Sequence, residues 1–228
     1  PYIIPIVLCV GLLFAQAICD LNLPNYMSNI VNVGLQQGGI ENAVPDAVSE
    51  NGMKLIQVFV TDEERELLNF SYTLIQQGDE QYEEQYPLVK EENIYVLSSK
   101  ENYGSLNQIF GTAGWSFINT IKALNPESSA EVSESGGITS VMDFEEVYKM
   151  LPMLERIPQE TLDEAREAAE KVADSTREQT GAAFVKSFYQ ELGVNTDRIQ
   201  TGYILMEGLF MLLIALLGGI STVIVGYL

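Results

Sequence analysis

Two uncharged apolar stretches lie at the ends of the chain, and a charged, mixed sequence fills the region between them. Ile3–Cys19 and Gly208–Leu228 contain no Asp, Glu, Lys or Arg. About 20 apolar residues in a helix, at ~1.5 Å per residue, cross the roughly 30 Å hydrocarbon core of a bilayer. The pattern therefore predicts a mainly α membrane protein with two transmembrane helices and one long insert between them.

The first helix is predicted to begin near Pro1–Ile4 and to extend beyond the membrane, because the sequence stays largely apolar and uncharged through Leu35. Pro24 predicts a kink or a local break, and Gly38-Gly39 predicts the end of the helix. Residues 1–37 are thus assigned to a transmembrane helix with an extracytoplasmic extension. A cleaved signal peptide is the alternative, but the stretch lacks a basic n-region and a small-residue cleavage site.

The second helix is assigned to residues 196–228, with Asn195 or Thr196 as its N-cap. It is predicted to run without a break into the membrane. Small residues spaced three or four apart suit close packing against other membrane helices, although glycine is also common in membrane helices without that role. The candidate helix-packing positions are Gly208, Ala215, Gly218 and Gly219.

Residues 38–195 are predicted to form one extracytoplasmic insert domain, mostly helical or α+β. Thr61 and Glu64 form a capping-box pattern that opens a helix through about Tyr72. Met53–Val60 and Asn93–Ser98 are short apolar runs that fit strands, although such runs do not separate strand from helix.

The second half of the insert has helical periodicity. Asp143–Leu151 predicts a helix that Pro152 stops. Gln159–Leu192 predicts the clearest helix of the insert, with Gly181 as a point of interruption. Between them, Pro126–Gly137 has the Ser, Glu and Gly composition of a loop.

Asp20 and Glu207 are the acids that directly border the two uncharged apolar stretches. Measured along the helices from the two chain ends, they lie ~26 Å and ~32 Å away, which predicts that they reach the same membrane face at a similar height. One interpretation makes them polar residues of an outer gate or interface. The other is that each marks the water boundary, and their nearness to the expected boundary favours this second interpretation.

The charge distribution excludes some classes of function. All 12 basic residues and all but two of the 32 acids lie between Glu41 and Arg198, and the formal net charge is −20. A chain this acidic is unsuited to binding the negatively charged backbone of a nucleic acid. Histidine is absent, which removes the commonest general base and the commonest transition-metal ligand. No catalytic, cofactor-binding or metal-binding residue is predicted in this chain.

Two segments carry a family resemblance. Asp20–Glu41, DLNLPNYMSNIVNVGLQQGGIE, resembles the end of the first transmembrane helix in bacterial ABC exporter half-transporters of the multidrug and peptide type. Phe184–Leu228 resembles the entry into the second helix of the same subgroup, which has a large first extracellular loop. The two segments cover about a third of the chain and stand in the right order around an insert.

The resemblance implies the N-terminal part of a six-helix bundle in the cell membrane, with both termini cytoplasmic and the insert extracytoplasmic. The implied partners are the lipid bilayer, the remaining transmembrane helices, a nucleotide-binding domain that uses ATP and Mg, and a second half-transporter in a homo- or heterodimer. The phosphate-binding motif G-x-x-x-x-G-K-[ST] is absent from these residues, so this chain alone is not expected to hydrolyse ATP. Its expected role is to help form the substrate translocation pathway.

A different class of protein shares the same topology. Two membrane helices around an extracytoplasmic ligand-binding domain are also typical of membrane receptors and sensors. The sequence beyond the second helix would separate the two, since an exporter continues into further membrane helices and an ATPase.

Overall fold

The computed structural model describes residues 3–124 and 144–227, and in these ranges helices predominate over one small sheet. The chain divides into two units. One unit contains the residues up to Gly39 together with those from Asp197, and the other is Ile40–Thr196.

The first unit is a pair of long helices. Helix α1 covers Ile3–Asn29 and continues into a π-helical segment, Ile30–Gln36. Pro24 lies inside α1, so the predicted local break does not occur there; the change of helical geometry comes at Ile30 instead. Gly38 and Gly39 then adopt positive φ angles of 68° and 81°, which glycine tolerates without steric cost and which end the helix as predicted.

Helix α8, the last of the chain, covers Thr196–Tyr227. Both α1 and α8 are long and apolar enough to cross a membrane. They run antiparallel and touch: the rings of Tyr26 and Phe210 are 6.4 Å apart, and a Cβ added at Gly34 would meet the Ile204 side chain.

The less exposed positions on the two helices recur at alternating steps of three and four, the spacing of helices that pack along an apolar seam. The seam positions are Cys9, Leu12, Gln16, Cys19, Leu23, Tyr26, Ile30, Val33 and Gln37 on the first helix, and Ile204, Glu207, Met211, Ile214, Gly218, Ser221 and Val225 on the second.

The second unit is the insert. Its three strands form an antiparallel sheet in the order β1-β3-β2, and a 3-10 turn at Pro87–Lys90 precedes β3. The described elements are β1 (Ala47–Ser49), α2 (Glu50–Val58), α3 (Asp62–Ser71), β2 (Tyr72–Ile75), β3 (Ile94–Leu97), α4 (Tyr103–Leu124), α5 (Phe144–Leu154), α6 (Gln159–Glu170) and α7 (Asp174–Glu191).

An aromatic cluster forms the centre of the insert's core. Phe117 of α4 meets Phe59 and Phe184 edge to face at 5.7 and 5.6 Å. Phe144 of α5 stacks on Phe188 of α7 at 4.7 Å. Each such contact adds about 0.5–1.5 kcal/mol beyond the area it buries, so this cluster ties α4, α5 and α7 together.

The first half of the insert confirms the capping box, since Thr61 and Glu64 cap α3 reciprocally. The run Asn93–Ser98 contains strand β3. Met53–Val60 is not a strand, because Ser49 caps a helix through Val58; its Oγ accepts from the Gly52 N–H at 2.9 Å.

The second half corrects two boundaries. Pro152 does not stop α5, which ends two residues later at Leu154. The missing N–H of Pro152 costs little there, because the helix is already in its last turn. The predicted helix Gln159–Leu192 is two helices, α6 and α7, that separate after Glu170 and not at Gly181. Helix α4 was not predicted from the sequence. Pro126–Gly137 and Asp143, the predicted first residue of the helix Asp143–Leu151, lie outside the described residues.

Candidate functional site

A stripe of amide side chains runs along one face of α1 and its π-helical continuation. It consists of Asn22, Asn25, Asn29, Asn32 and Gln36, at steps of three and four residues. All but Asn22 are exposed. Asparagine is a weak helix former, so local propensity does not explain five amides on one face of an otherwise apolar helix. We call these five residues the amide stripe.

The hydrogen bonds of the amide stripe leave much of its capacity open. Asn22 Nδ2 donates to the Ile18 carbonyl at 2.7 Å, and Asn32 Nδ2 donates to Ser28 Oγ at 3.0 Å. In the described parts of the chain, Asn25 and Gln36 have no hydrogen-bond partner. Each free amide offers two donors and an acceptor with two lone pairs, so the stripe can bind polar groups of either kind.

Glu207 lies on α8 and joins the amide stripe. Asn29 Nδ2 is 3.4 Å from Glu207 Oε2 across the two helices. The stripe therefore has one carboxylate at its side, and this carboxylate retains acceptor capacity beyond the single long contact.

Asp20 does not lie near Glu207. A Cβ added at Gly218 would lie 3.7 Å from Asp20 Oδ1 and from Cys19 Cβ, which places Asp20 beside Gly218. Asp20 precedes Asn29 by about nine residues, or ~13 Å of helix, and it faces the flank of α1 opposite to the amide stripe. The prediction of a similar height is wrong, because it assumed that the terminal ends of the two apolar stretches, Ile3 and Leu228, lie at one membrane face.

The predicted packing positions of α8 lie on different faces. Gly218 is buried against α1. A Cβ added at Gly208 or Gly219 would meet no atom within 4 Å, and Ala215 is exposed. Of the four positions, Gly218 is thus the one that permits the close approach of α1 and α8.

The insert holds a polar network of its own. Tyr148 Oη donates to Glu191 Oε2 at 2.8 Å and lies 3.3 Å from Ser49 Oγ. Burial raises the pKa of the Glu191 carboxyl, and the hydrogen bonds from Ser49 and Tyr148 offset part of that rise. Burial also raises the pKa of Glu92, and its proximity to Glu50 adds to this. This network joins α5, α7 and β1, so we interpret it as a contact that stabilises the fold of the insert.

An open cleft on the insert contains charges that are already paired. A cleft of about 460 Å³ is lined by Arg166, Arg177 and Glu64, and Arg166 forms a two-point contact with Glu64 at 2.8 and 2.6 Å. Arg177 pairs with Asp174. In the described ranges, no group of three or more His, Cys, Asp or Glu residues could hold a metal ion.

Comparison with known protein families, with curated proteins and with solved structures finds no match for this chain. The functional argument therefore rests on the chemistry of the helix pair. Asp20 and Glu207 were predicted from the sequence as candidate site residues, whereas the amide stripe was not. The signal was nevertheless present, since Asn and Gln recur at helical spacing from Asn22 to Gln36.

Proposed function

We propose that this chain forms part of the membrane domain of an ATP-driven ABC exporter, in which α1 lines the substrate translocation pathway. In this proposal α1 and α8 span the cell membrane. The insert is extracytoplasmic, and further transmembrane helices and a nucleotide-binding domain complete the half-transporter.

The exposed face of α8 supports insertion into a membrane. Its leucines just beyond Glu207 are each between 47% and 57% exposed; they are Leu209, Leu212, Leu213, Leu216 and Leu217. Complete burial of one such side chain gains about 1.5–3 kcal/mol. A row of half-exposed leucines would therefore be costly in water, whereas lipid chains solvate it without penalty.

The observation that carries the proposal is that the first three residues of the amide stripe, Asn22, Asn25 and Asn29, lie at the level of these leucines. The register of the pair places Asn25 opposite Leu212 and Asn29 opposite Gly208. Unpaired polar groups are costly in hydrocarbon and face protein or a water-filled cavity. One side of the helix pair is therefore suited to lipid and the other to a polar interior.

A role in transport explains why the polar side of the helix pair carries mostly neutral amides. Neutral amides donate and accept hydrogen bonds without holding a solute by charge, which suits a surface that a substrate must leave as well as enter. The segment Asp20–Glu41, which resembles ABC exporters, contains all five residues of the amide stripe. The resemblance and the polar face thus coincide.

The pathway can be tested by the reactivity of single cysteines in the complete polypeptide in native membranes. The background carries Cys9→Ser and Cys19→Ser. Asn25→Cys should react with a membrane-impermeant maleimide at least about tenfold faster than Leu212→Cys, its matched control on the lipid side at the same level. Equal rates at the two positions would refute a water-accessible amide stripe.

The same experiment addresses the receptor alternative. A two-helix receptor would pack the amide stripe dry against another helix, and Asn25→Cys would then stay unlabelled. ATP-driven export has its own measurement: the purified complete polypeptide should release phosphate from ATP in the presence of Mg. Absence of this activity would exclude the exporter and leave the water-accessible face unaffected.

A further inference from the structure

Asp20 is a carboxylate without a partner in an apolar environment. In the described ranges it has no hydrogen bond and no ion pair, and its side chain is exposed on the flank of α1. The helix pair contains one basic residue, Arg198. Arg198 lies about 20 residues along α8 from Gly218, roughly 30 Å away, which is too far to neutralise Asp20.

The level of Asp20 follows from its neighbour Gly218. Gly218 lies about 11 residues beyond Glu207, or ~16 Å deeper along α8, which is about half of a 30 Å hydrocarbon core. If Asp20 were instead at the water boundary, the exposed apolar stretch Leu209–Leu217 would stand in water. The membrane insertion that the proposed function requires therefore places Asp20 near mid-depth.

A carboxylate at mid-depth needs a positive or hydrogen-bonding partner. Lipid cannot supply it there, because cationic headgroups lie at the membrane surface. A helix can supply it, because its backbone is satisfied internally and a single lysine or arginine can project at any level.

We propose that Asp20 is the contact point for a further membrane helix that carries a lysine or arginine at the same depth. The negative charge of Asp20 favours a helix that carries a positive charge, and the exposed flank of α1 around Asp20 provides the surface on which this helix packs. The inference rests on the membrane insertion in the proposed function and is independent of transport.

The test uses the full chain in phosphatidylcholine vesicles with a fluorescent donor on the insert, and synthetic Leu/Ala membrane helices labelled with an acceptor. The helices carry a single central Lys, a central Leu, or a Lys displaced to one end. Energy transfer should show association about tenfold tighter for the central-Lys helix than for the other two. Asp20→Asn should remove this preference, while Asp20→Glu should retain it.

Control variants and measurements separate this inference from the proposed function. Glu63→Gln, which alters an exposed acid of the insert, should leave the association unchanged. A preference for central Lys that survives in Asp20→Asn, or equal association of the three helices, would overturn the inference and leave membrane insertion intact. The inference would also be overturned if tetraphenylphosphonium bound in an Asp20-dependent way while the central-Lys helix showed no preference. The partner of Asp20 would then be a soluble organic cation. Extraction of the chain by alkaline carbonate would overturn both proposals.

Discussion

Gly181 lies where α7 crosses α4 and also contacts Ala43, and its replacement tests the packing of this crossing. A Cβ added at Gly181 would lie 2.2 Å from Ala43 Cβ and 3.2 Å from Gly111 Cα. Neither neighbour can rotate away, because one contact is a methyl fixed to the backbone and the other is backbone itself. We expect Gly181→Ala to push α7 away from α4 or from the segment that contains Ala43.

The magnitude follows from two opposing effects. Overpacking of a filled core costs about 1–3 kcal/mol, and the better helix propensity of alanine returns up to about 1 kcal/mol. The net loss should be about 1–2 kcal/mol. For a domain of this size, each kcal/mol lowers Tm by roughly 2–4 °C, so we expect a decrease of about 2–8 °C.

The single tryptophan of the chain provides the assay. Trp115 lies on α4, so its fluorescence during thermal unfolding of the full chain in detergent reports on the crossing. Gly104→Ala is the matched control, because it is also on α4 and has no atom within 4 Å of the added Cβ; its Tm should stay equal or rise. A Gly181→Ala variant as stable as wild type would refute the close crossing.

Three further predictions concern the insert, each read as the change in its unfolding midpoint. Thr61→Ala removes the N-cap of α3 and should cost about 1 kcal/mol, whereas Thr61→Ser should restore most of it. Arg166→Met leaves the largely buried Glu64 carboxylate unpaired and should cost about 2 kcal/mol; a change below the error of the assay would show that this contact contributes nothing. The raised pKa of Glu191 means that the folded state binds its proton more tightly than the unfolded state, so the stability contribution of this group should increase as pH falls from neutral toward 4.5. Glu191→Gln should flatten this pH dependence, and an unchanged pH profile would contradict it.

Local signals in the sequence were sufficient where the structure is decided locally. The capping box at Thr61 depends on two side chains three residues apart, and it forms as predicted. The two apolar helices depend on composition and length. Strand β3 and the glycine end of the first helix are likewise specified within a few residues.

Elements that depend on distant contacts were harder to predict. The run Met53–Val60 contains β-branched residues, yet the Ser49 cap and burial against the core make it helical. The separation of α6 from α7 follows no glycine or proline at that point. Gly181, the predicted interruption, lies within α7, where it lets another segment approach.

The register between α1 and α8 decides the interpretation of the membrane acids, and no local pattern encodes it. Hydropathy averages over a whole turn, so it gives the same apolar value whether polar residues are scattered or aligned. The alignment of Asn25 and Asn29 on one face indicates a polar surface within the membrane only once their level along α8 is known. That level is set by contacts such as Gly218 with Cys19. A shift of α8 by about 11 residues, or ~16 Å, would bring Asp20 level with Glu207 and make both acids boundary markers. In the observed register Glu207 instead joins the amide stripe and Asp20 stands alone among apolar side chains, so the two acids that look equivalent in the sequence require different partners.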